Sequence, residues 1–207
     1  MIDLTKKYLF RMTHIENIPH VLQCGITHAT SVHSNSFFVP IGDGSLISTR
    51  NKYILDNGKP LGDYIPFYFS SRTPMLYVIQ HGFNMVPPIS PAQIVYCVSS
   101  IQRMIDLNLD FVFTDGHAVD SFSTLYSAED IGEIDTILDW KAIKEKYWKD
   151  ENDLDRKRRK EAEFLVSNDI DTSGILGYIV YDESAQKELV ALGISEEKIQ
   201  IKPNYYF

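Results

Sequence analysis

The sequence predicts one domain in which strands mix with short helices, of the α+β or mixed α/β class, spanning residues 1–207. Three observations predict it. Short aromatic and β-branched runs recur along the chain, several segments between them keep helical spacing, and a hydrophobic share of 44% supplies a core. Tyr8-Leu9-Phe10-Arg11-Met12 reads as the first strand. Thr13 then caps a helix, with Glu16 in capping-box position; Ile15, Ile18, Val21 and Leu22 keep helical spacing and Gly25 closes it. From Thr27 to Gly62 periodicity is lost in a long loop rich in Ser, Asn, Gly and His, a length that points to function or mobility. Asp63–Phe69 is a strand in which Pro66 suggests an edge or a bulge. Pro74 opens a helix over Met75–Gln80. Ile94–Val98 is a buried strand, Ile101–Leu107 a helix, Phe111–Thr114 a strand and Leu138–Trp148 an amphipathic helix. The charge-dense tract Glu145–Glu163 reads as a solvated helix. Strands follow at Glu163–Val166, Gly177–Tyr181 and Ile199–Lys202, with a helix at Ser184–Leu192.

Composition narrows the function classes. A net charge of −8 provides no overall basic field for nucleic acid or an anionic membrane, so a polyanion partner needs a local patch. The two cysteines, Cys24 and Cys97, lack metal-ligand spacing, which fits a reducing cytoplasm. The first residues carry no apolar signal region, and no apolar run approaches the length of a membrane span. GxGxxG, GxxxxGK[ST] and GxSxG are all missing, which weakens dinucleotide-fold oxidoreductase, P-loop and serine-hydrolase readings. The six histidines form no HxxxH or HExxH pair, so no metal is expected.

Several side chains have chemistry to offer. Glu161 and Glu163 alternate, so on a strand they share one side; paired carboxylates repel, and either one keeps a raised pKa or a cation holds both ionised. The bland alternative is a solvated junction. The basic run Arg156–Lys160 is a candidate phosphate patch, or a face that balances Asp150, Glu151, Asp153 and Asp155. Arg50 stands alone in the polar loop, and Arg72 at a turn is placed to bind an anion or a helix end. His117 follows a buried strand, where functional loops tend to lie.

Four stretches together resemble the DarT toxins, NAD-dependent ADP-ribosyltransferases that modify a base in single-stranded DNA. They are Arg11–Ile18, Leu61–Tyr77, Phe111–His117 and Lys157–Val166, and the resemblance runs from about Leu9 to Tyr206. It implies an ADP-ribosyltransferase fold, a split mixed β core with peripheral helices and a cleft for NAD as co-substrate. It also implies Glu163 as the catalytic glutamate, anchored by Phe164-Leu165-Val166, and Arg50 as an arginine of the NAD-covering loop. Arg11, Met12, Thr13, His14, Asn17, Arg50 and Tyr68 are the residues expected on NAD, and His117 is expected near the target base, at the start of a recognition loop over Gly116–Ala162. Arg11 stands where the family commonly has histidine and Glu161 where it commonly has glutamine. Thymine and guanine both remain open as the target. Lys141, Lys144, Lys146 and Lys149 with Arg156–Lys160 are expected along one edge of the cleft, with Tyr126, Tyr147 and Trp148 available to stack bases. The resemblance further implies a toxin–antitoxin or phage-defence setting with a macrodomain antitoxin of the DarG type, and no membrane. Glu161-Ala162-Glu163 also resembles the Glu-x-Glu pair of arginine-modifying transferases, which makes RNA or protein side chains the alternative acceptors.

Overall fold

In a computed structural model that describes residues 2–207, β1 (Tyr8–His14) runs through the middle of an eight-stranded sheet. A 3-10 turn at Ile15–Asn17 leads into α1 (Ile18–Cys24). Its start corrects the expected cap: Thr13 is still in the strand, and His14 caps the turn, its Nδ1 accepting from Glu16 N–H at 3.3 Å. Gly25 ends α1 at φ 76°, with its backbone against Ile170; a Cβ there would stand 2.0 Å from the Ile170 carbonyl oxygen.

The long polar segment is not all loop. It contains α2 (Gly44–Lys52), capped by the Asp43 carboxylate on Ser45 N–H. No residue of α2 is buried, so its sequence carries no apolar period. Next come β2 (Ile65–Tyr68), α3 (Pro74–His81), β3 (Ile94–Ser100), α4 (Ile101–Asp106), β4 (Phe111–Thr114) and a short strand the sequence hides, β5 (Leu125–Ser127). Of the expected helix over Leu138–Trp148 only α6 (Trp140–Lys144) forms, preceded by a separate short helix, α5 (Ile134–Ile137). Extended backbone at Glu145, φ −57° and ψ 144°, stops α6. The Lys160 ammonium, which is fully buried, donates to the carbonyls of Ile143 (3.0 Å) and Glu145 at that end. The expected solvated helix over Glu145–Glu163 likewise shrinks to α7 (Arg156–Lys160). β6 (Glu163–Val166), β7 (Gly177–Val180), α8 (Glu183–Ala191) and β8 (Ile199–Ile201) complete the fold.

The strand order is β5-β4-β6-β2-β1-β3-β7-β8, antiparallel throughout except for the parallel pair β7–β8. One face packs Leu9, Phe67, Val95, Ile101 and Phe164 in the larger core. The other packs Phe10, Met12, Leu76, Ile94 and Tyr96. The sheet is split in the middle. β1 and β3 pair over seven residues, whereas β1 and β2 meet at a single Cα pair, Phe10 with Tyr68. This explains Pro66, which lies in an interior strand and not on an edge. The N and C=O of a strand residue point the same way. The Pro66 carbonyl faces β1, where the Arg11 guanidinium reaches it at 3.0 Å, so the missing N–H falls where the ladder is open.

Candidate active site at the split of the sheet

Glu163 begins β6 and lies opposite Tyr68 in the ladder, and Tyr68 lies opposite Phe10. The three residues therefore form a row across the split. The Glu163 carboxylate is fully buried. Its Oε1 accepts from Arg50 Nη1 at 3.1 Å and from Ala118 N–H at 3.0 Å. Its Oε2 lies 2.8 Å from Arg50 Nη2, close enough for an ion pair, but no N–H is aimed along that line and neither atom has a directed hydrogen bond. One oxygen is thus anchored twice, while the other keeps a free acceptor direction.

Burial pushes the Glu163 carboxyl up, but the Arg50 charge, the His117 charge when that ring is protonated, and the Arg50 and Ala118 donors outweigh it and hold the group below the usual carboxylate range. Arg50 has the mirror balance: burial pulls it down and Glu163 raises it further. His117 is lowered by burial, against the pull of Glu163 and with the push of Arg50 and Lys157, so its imidazole is neutral at pH 7. The strand β6 and the turn after β4 are tied together locally: Glu163 N–H donates to Thr114 Oγ1 at 3.2 Å, and His117 N–H donates to the Arg158 carbonyl at 3.0 Å. This turn places Ala118 over the carboxylate. A main-chain donor leaves no trace in sequence, and Ala118 was not among the expected site residues.

The other expected residues are distributed as follows. Arg11 spans the split to Pro66, and burial brings its pKa down to about 10. Tyr68 sits between Arg11, Arg50 and Glu163, with its phenol pKa raised chiefly by burial. The Met12 side chain packs in the core with Ile94 and Leu76, so only its main chain is available to a ligand. His14 is a buried cap. Asn17 is buried and committed: Nδ2 donates to Thr13 Oγ1 (2.9 Å) and to the Val39 carbonyl (2.8 Å), and Oδ1 accepts from Val39 N–H (2.9 Å). It clamps the polar loop onto β1. Asn17→Ala is expected to lower unfolding free energy by about 1–2 kcal/mol and to speed proteolytic cleavage near Val39, read by a denaturant melt and limited proteolysis.

Two expectations are corrected here. Glu161 is not on a strand with Glu163. It follows α7 at φ −93° and ψ 22°, so strand alternation does not apply. It is buried, no hydrogen bond from the described residues reaches its carboxyl, and burial raises its pKa to about 7 despite Lys157. The run Arg156–Lys160 is mostly not a phosphate patch. Arg156 pairs with Asp150 and Asp153, Arg158 with Asp115 and Asp155, Arg159 with Asp139, Asp153 and Asp155, and Lys160 is buried. Lys157 alone in the run is exposed with no ion pair among the described residues. Of the aromatics expected to stack bases, Tyr126 lies on Phe113 and Trp148 packs edge-on against Tyr77 and Phe207; Tyr147 is exposed. Among the described residues, no group of three or more His, Cys, Asp or Glu is arranged to hold a metal ion, and no helix is long and apolar enough to cross a membrane.

A sequence model described as "DarT: ssDNA thymidine ADP-ribosyltransferase, DarT" matches residues 10–207. The chain belongs to the DarT family. A DNA ADP-ribosyl transferase of Thermus sp. (strain 2.9) is 32% identical over 189 residues, covering 89% of this chain and 86% of the relative. The structure of Thermus sp. 2.9 DarT in complex with ADP-ribosylated ssDNA superposes with a TM-score of 0.83 at 28% identity, over 97% of this chain and 96% of that one. The same DarT in complex with NAD+ superposes at 0.78, also at 28% identity, over 97% and 98%. A DNA ADP-ribosyl transferase–DNA ADP-ribosyl glycohydrolase fusion protein of Thermosipho africanus is 28% identical over 96% of this chain and 48% of its own length. The family's split-sheet fold is therefore the fold of this chain.

Proposed function

We propose that this DarT-family chain transfers the ADP-ribose of NAD to thymine in single-stranded DNA, and that Glu163 is its catalytic carboxylate. The observation that carries the reading is the Glu163 carboxylate itself: buried, ionised, hydrogen-bonded through one oxygen and paired with Arg50 without a directed hydrogen bond at the other, in a chain matched over residues 10–207 by a thymidine-modifying family. The family description favours thymine over guanine.

The chemistry asks for this arrangement. The bond between the ribose C1′ and the nicotinamide nitrogen breaks, and nicotinamide leaves with the electron pair. Positive charge develops on the sugar. A fixed carboxylate beside it stabilises that charge, and the free direction of Glu163 Oε2 suits a ribose hydroxyl. Thymine in DNA carries one ring N–H. That nitrogen gives up its proton and forms the new bond to C1′. Arg50 is a poor proton acceptor, with a pKa raised by Glu163, and serves by charge and orientation. The neutral imidazole of His117, in the turn above Glu163, is the group suited to take the proton. Arg11 and the cleft lined by Thr13, Asn17, His20 and Thr27 are assigned to the dinucleotide, and Tyr68 to the nicotinamide face. The Thermosipho fusion joins a transferase to a glycohydrolase in one chain. By that precedent we assign this chain a toxin's role opposed by a glycohydrolase of the macrodomain type that removes the mark; action on DNA suits a cytoplasmic setting.

Incubation with NAD and mixed-sequence oligonucleotides is expected to give one added ADP-ribose per modified strand by mass spectrometry, dependent on thymine in a four-base substitution series. An adduct on RNA or protein with none on DNA overturns the acceptor.

A further inference from the structure

The ladder between β4 and β6 runs from Phe111 opposite Val166 to Phe113 opposite Phe164 and stops there. The next residues along the two strands are Thr114 and Glu163. At Thr114 the main chain of β4 stays with β5, where it pairs with Leu125. The gap to β6 is bridged by a side chain: Glu163 N–H donates to Thr114 Oγ1 at 3.2 Å. The same hydroxyl donates its own proton to the Gly116 carbonyl at 2.7 Å. Thr114 is buried, so water does not compete for either bond.

We infer that Thr114 is a positioning residue for the transfer, its hydroxyl setting the distance between the Glu163 carboxylate and the turn that carries His117 and the Ala118 N–H. The inference rests on the reading of Glu163 as the catalytic carboxylate. Its first support is connectivity. The turn leaves β4 at Thr114 and returns to Glu163 four residues later, where Ala118 N–H donates to Oε1 at 3.0 Å. Glu163 is therefore bonded to both ends of the turn, by its main-chain N–H at the start and by its carboxylate at the finish. The bond from Thr114 to Gly116 curls the chain between those two points.

The second support is a division of labour. The turn is also held from α7: His117 N–H donates to the Arg158 carbonyl, and the Arg158 guanidinium pairs with Asp115 at 3.0 Å. Gly116 lies directly under that arginine, where a Cβ would stand 2.5 Å from Nη1. These contacts fix the turn against the helix and leave its distance from β6 to Thr114. The third is chemistry. A hydroxyl accepts and donates at once, so serine can take over both bonds, whereas valine has the same shape and can make neither. The groups that face the carboxylate are Arg50 from α2, His117 from the turn and Tyr68 from β2, with Glu161 just before β6. Of these, the share carried by the turn depends on Thr114.

The test compares Thr114→Val, Thr114→Ser and a control, Ser99→Ala. Ser99 is a buried residue of β3, three strands from β6, and its hydroxyl donates to the Gly174 carbonyl at 2.6 Å. The control thus loses a bond of the same kind away from the site. Thr114→Val is expected to cut the single-turnover rate of ADP-ribose transfer to a thymine-containing oligonucleotide about 10–100-fold at saturating NAD. The NAD concentration for half-maximal rate should change by less than about twofold. Slackening the Ala118 donor removes one of the contacts that hold the Glu163 carboxyl down, so the acid limb of the rate profile should move to higher pH. Thr114→Ser should restore the rate to within about threefold of the wild type. Ser99→Ala should lower the melting temperature and leave the rate and its pH profile in place. Should valine not fold, with a methyl against the Gly116 carbonyl, Thr114→Ala carries the same test without that overlap. A folded hydroxyl-free variant with the wild-type rate and acid limb overturns the inference. So does a Ser99→Ala control that slows transfer equally, or the loss of the native melt in both valine and alanine variants, because the hydroxyl then supports the fold at large. Glu163→Gln is run beside them: transfer at the wild-type rate in that variant overturns the reading of Glu163 itself, and Thr114 then has nothing to position.

Discussion

Replacing Glu163 by glutamine is expected to cut ADP-ribose transfer to DNA by about 10²–10³-fold while the protein stays folded. The size follows from electrostatics. A full negative charge about 4 Å from the forming sugar cation is worth about 4 kcal/mol at an effective dielectric near 20, and about 1.4 kcal/mol is a factor of ten in rate. Glutamine keeps the shape and an oxygen for the Ala118 N–H, which donates to Glu163 at 3.0 Å, but removes the charge. The variant therefore separates charge from hydrogen bonding. Its carboxamide also leaves Arg50 without a counter-ion, so α2 should become easier to cleave by protease. The measurement is adduct yield per unit time by mass spectrometry, beside a thermal melt. A variant within about threefold of the wild type in rate would mean that the sugar is stabilised elsewhere.

Glu161→Gln is expected to stabilise the fold increasingly as pH rises. The folded-state pKa of Glu161 is about 7, above its ordinary value of 4.5, because burial disfavours the charged form. Below pH 4.5 the acid is neutral both folded and unfolded, and burial carries no ionisation penalty. Between 4.5 and 7 the unfolded chain ionises while the native one holds its proton, so native stability falls with increasing pH. Above 7 the loss levels off at about 3 kcal/mol. Glutamine does not titrate. The gain in unfolding free energy over the wild type should grow from under about 1 kcal/mol at pH 5 to about 3 kcal/mol at pH 8, measured by denaturant melts at both values. Equal gains at the two pH values would show that Glu161 ionises normally. Below pH 7 the carboxylic acid has a donor and an acceptor, as a glutamine does.

The strands of the central sheet were legible because each needs a continuous apolar or aromatic run to be buried on two faces; Ile94–Ser100 and Phe111–Thr114 are examples. β5 has three residues and none is buried, so nothing marked it. α2 escaped for the same reason, with only the Asp43 cap as a signal. The long helix expected over Leu138–Trp148 failed because apolar spacing does not reveal that Lys160, far along the chain, takes the carbonyls of Ile143 and Glu145. Within the site, the carboxylate and its anchoring strand were marked by local sequence and by resemblance. The pairing of Arg50 with Glu163, 113 residues apart, had no local signal, and neither did the Ala118 N–H. The basic run was readable in its bland form: its arginines neutralise neighbouring aspartates.

A helix with no buried side chain carries one half of the Arg50–Glu163 pair. The flap it belongs to is fastened by polar latches: Asn17 on Val39, His28 on the Gly62 carbonyl at 2.7 Å, and Arg50 on Glu163. The same segment is also packed: Ile41, Leu55 and Leu61 are buried in the two smaller apolar clusters, so lifting it uncovers oily surface together with the buried Glu163 carboxylate. The cleft lined by Arg11, Thr13 and Asn17 lies beneath it. Opening the segment therefore breaks packing and polar contacts at once, and a nucleotide that needs it open should associate at a rate set by how often both give way.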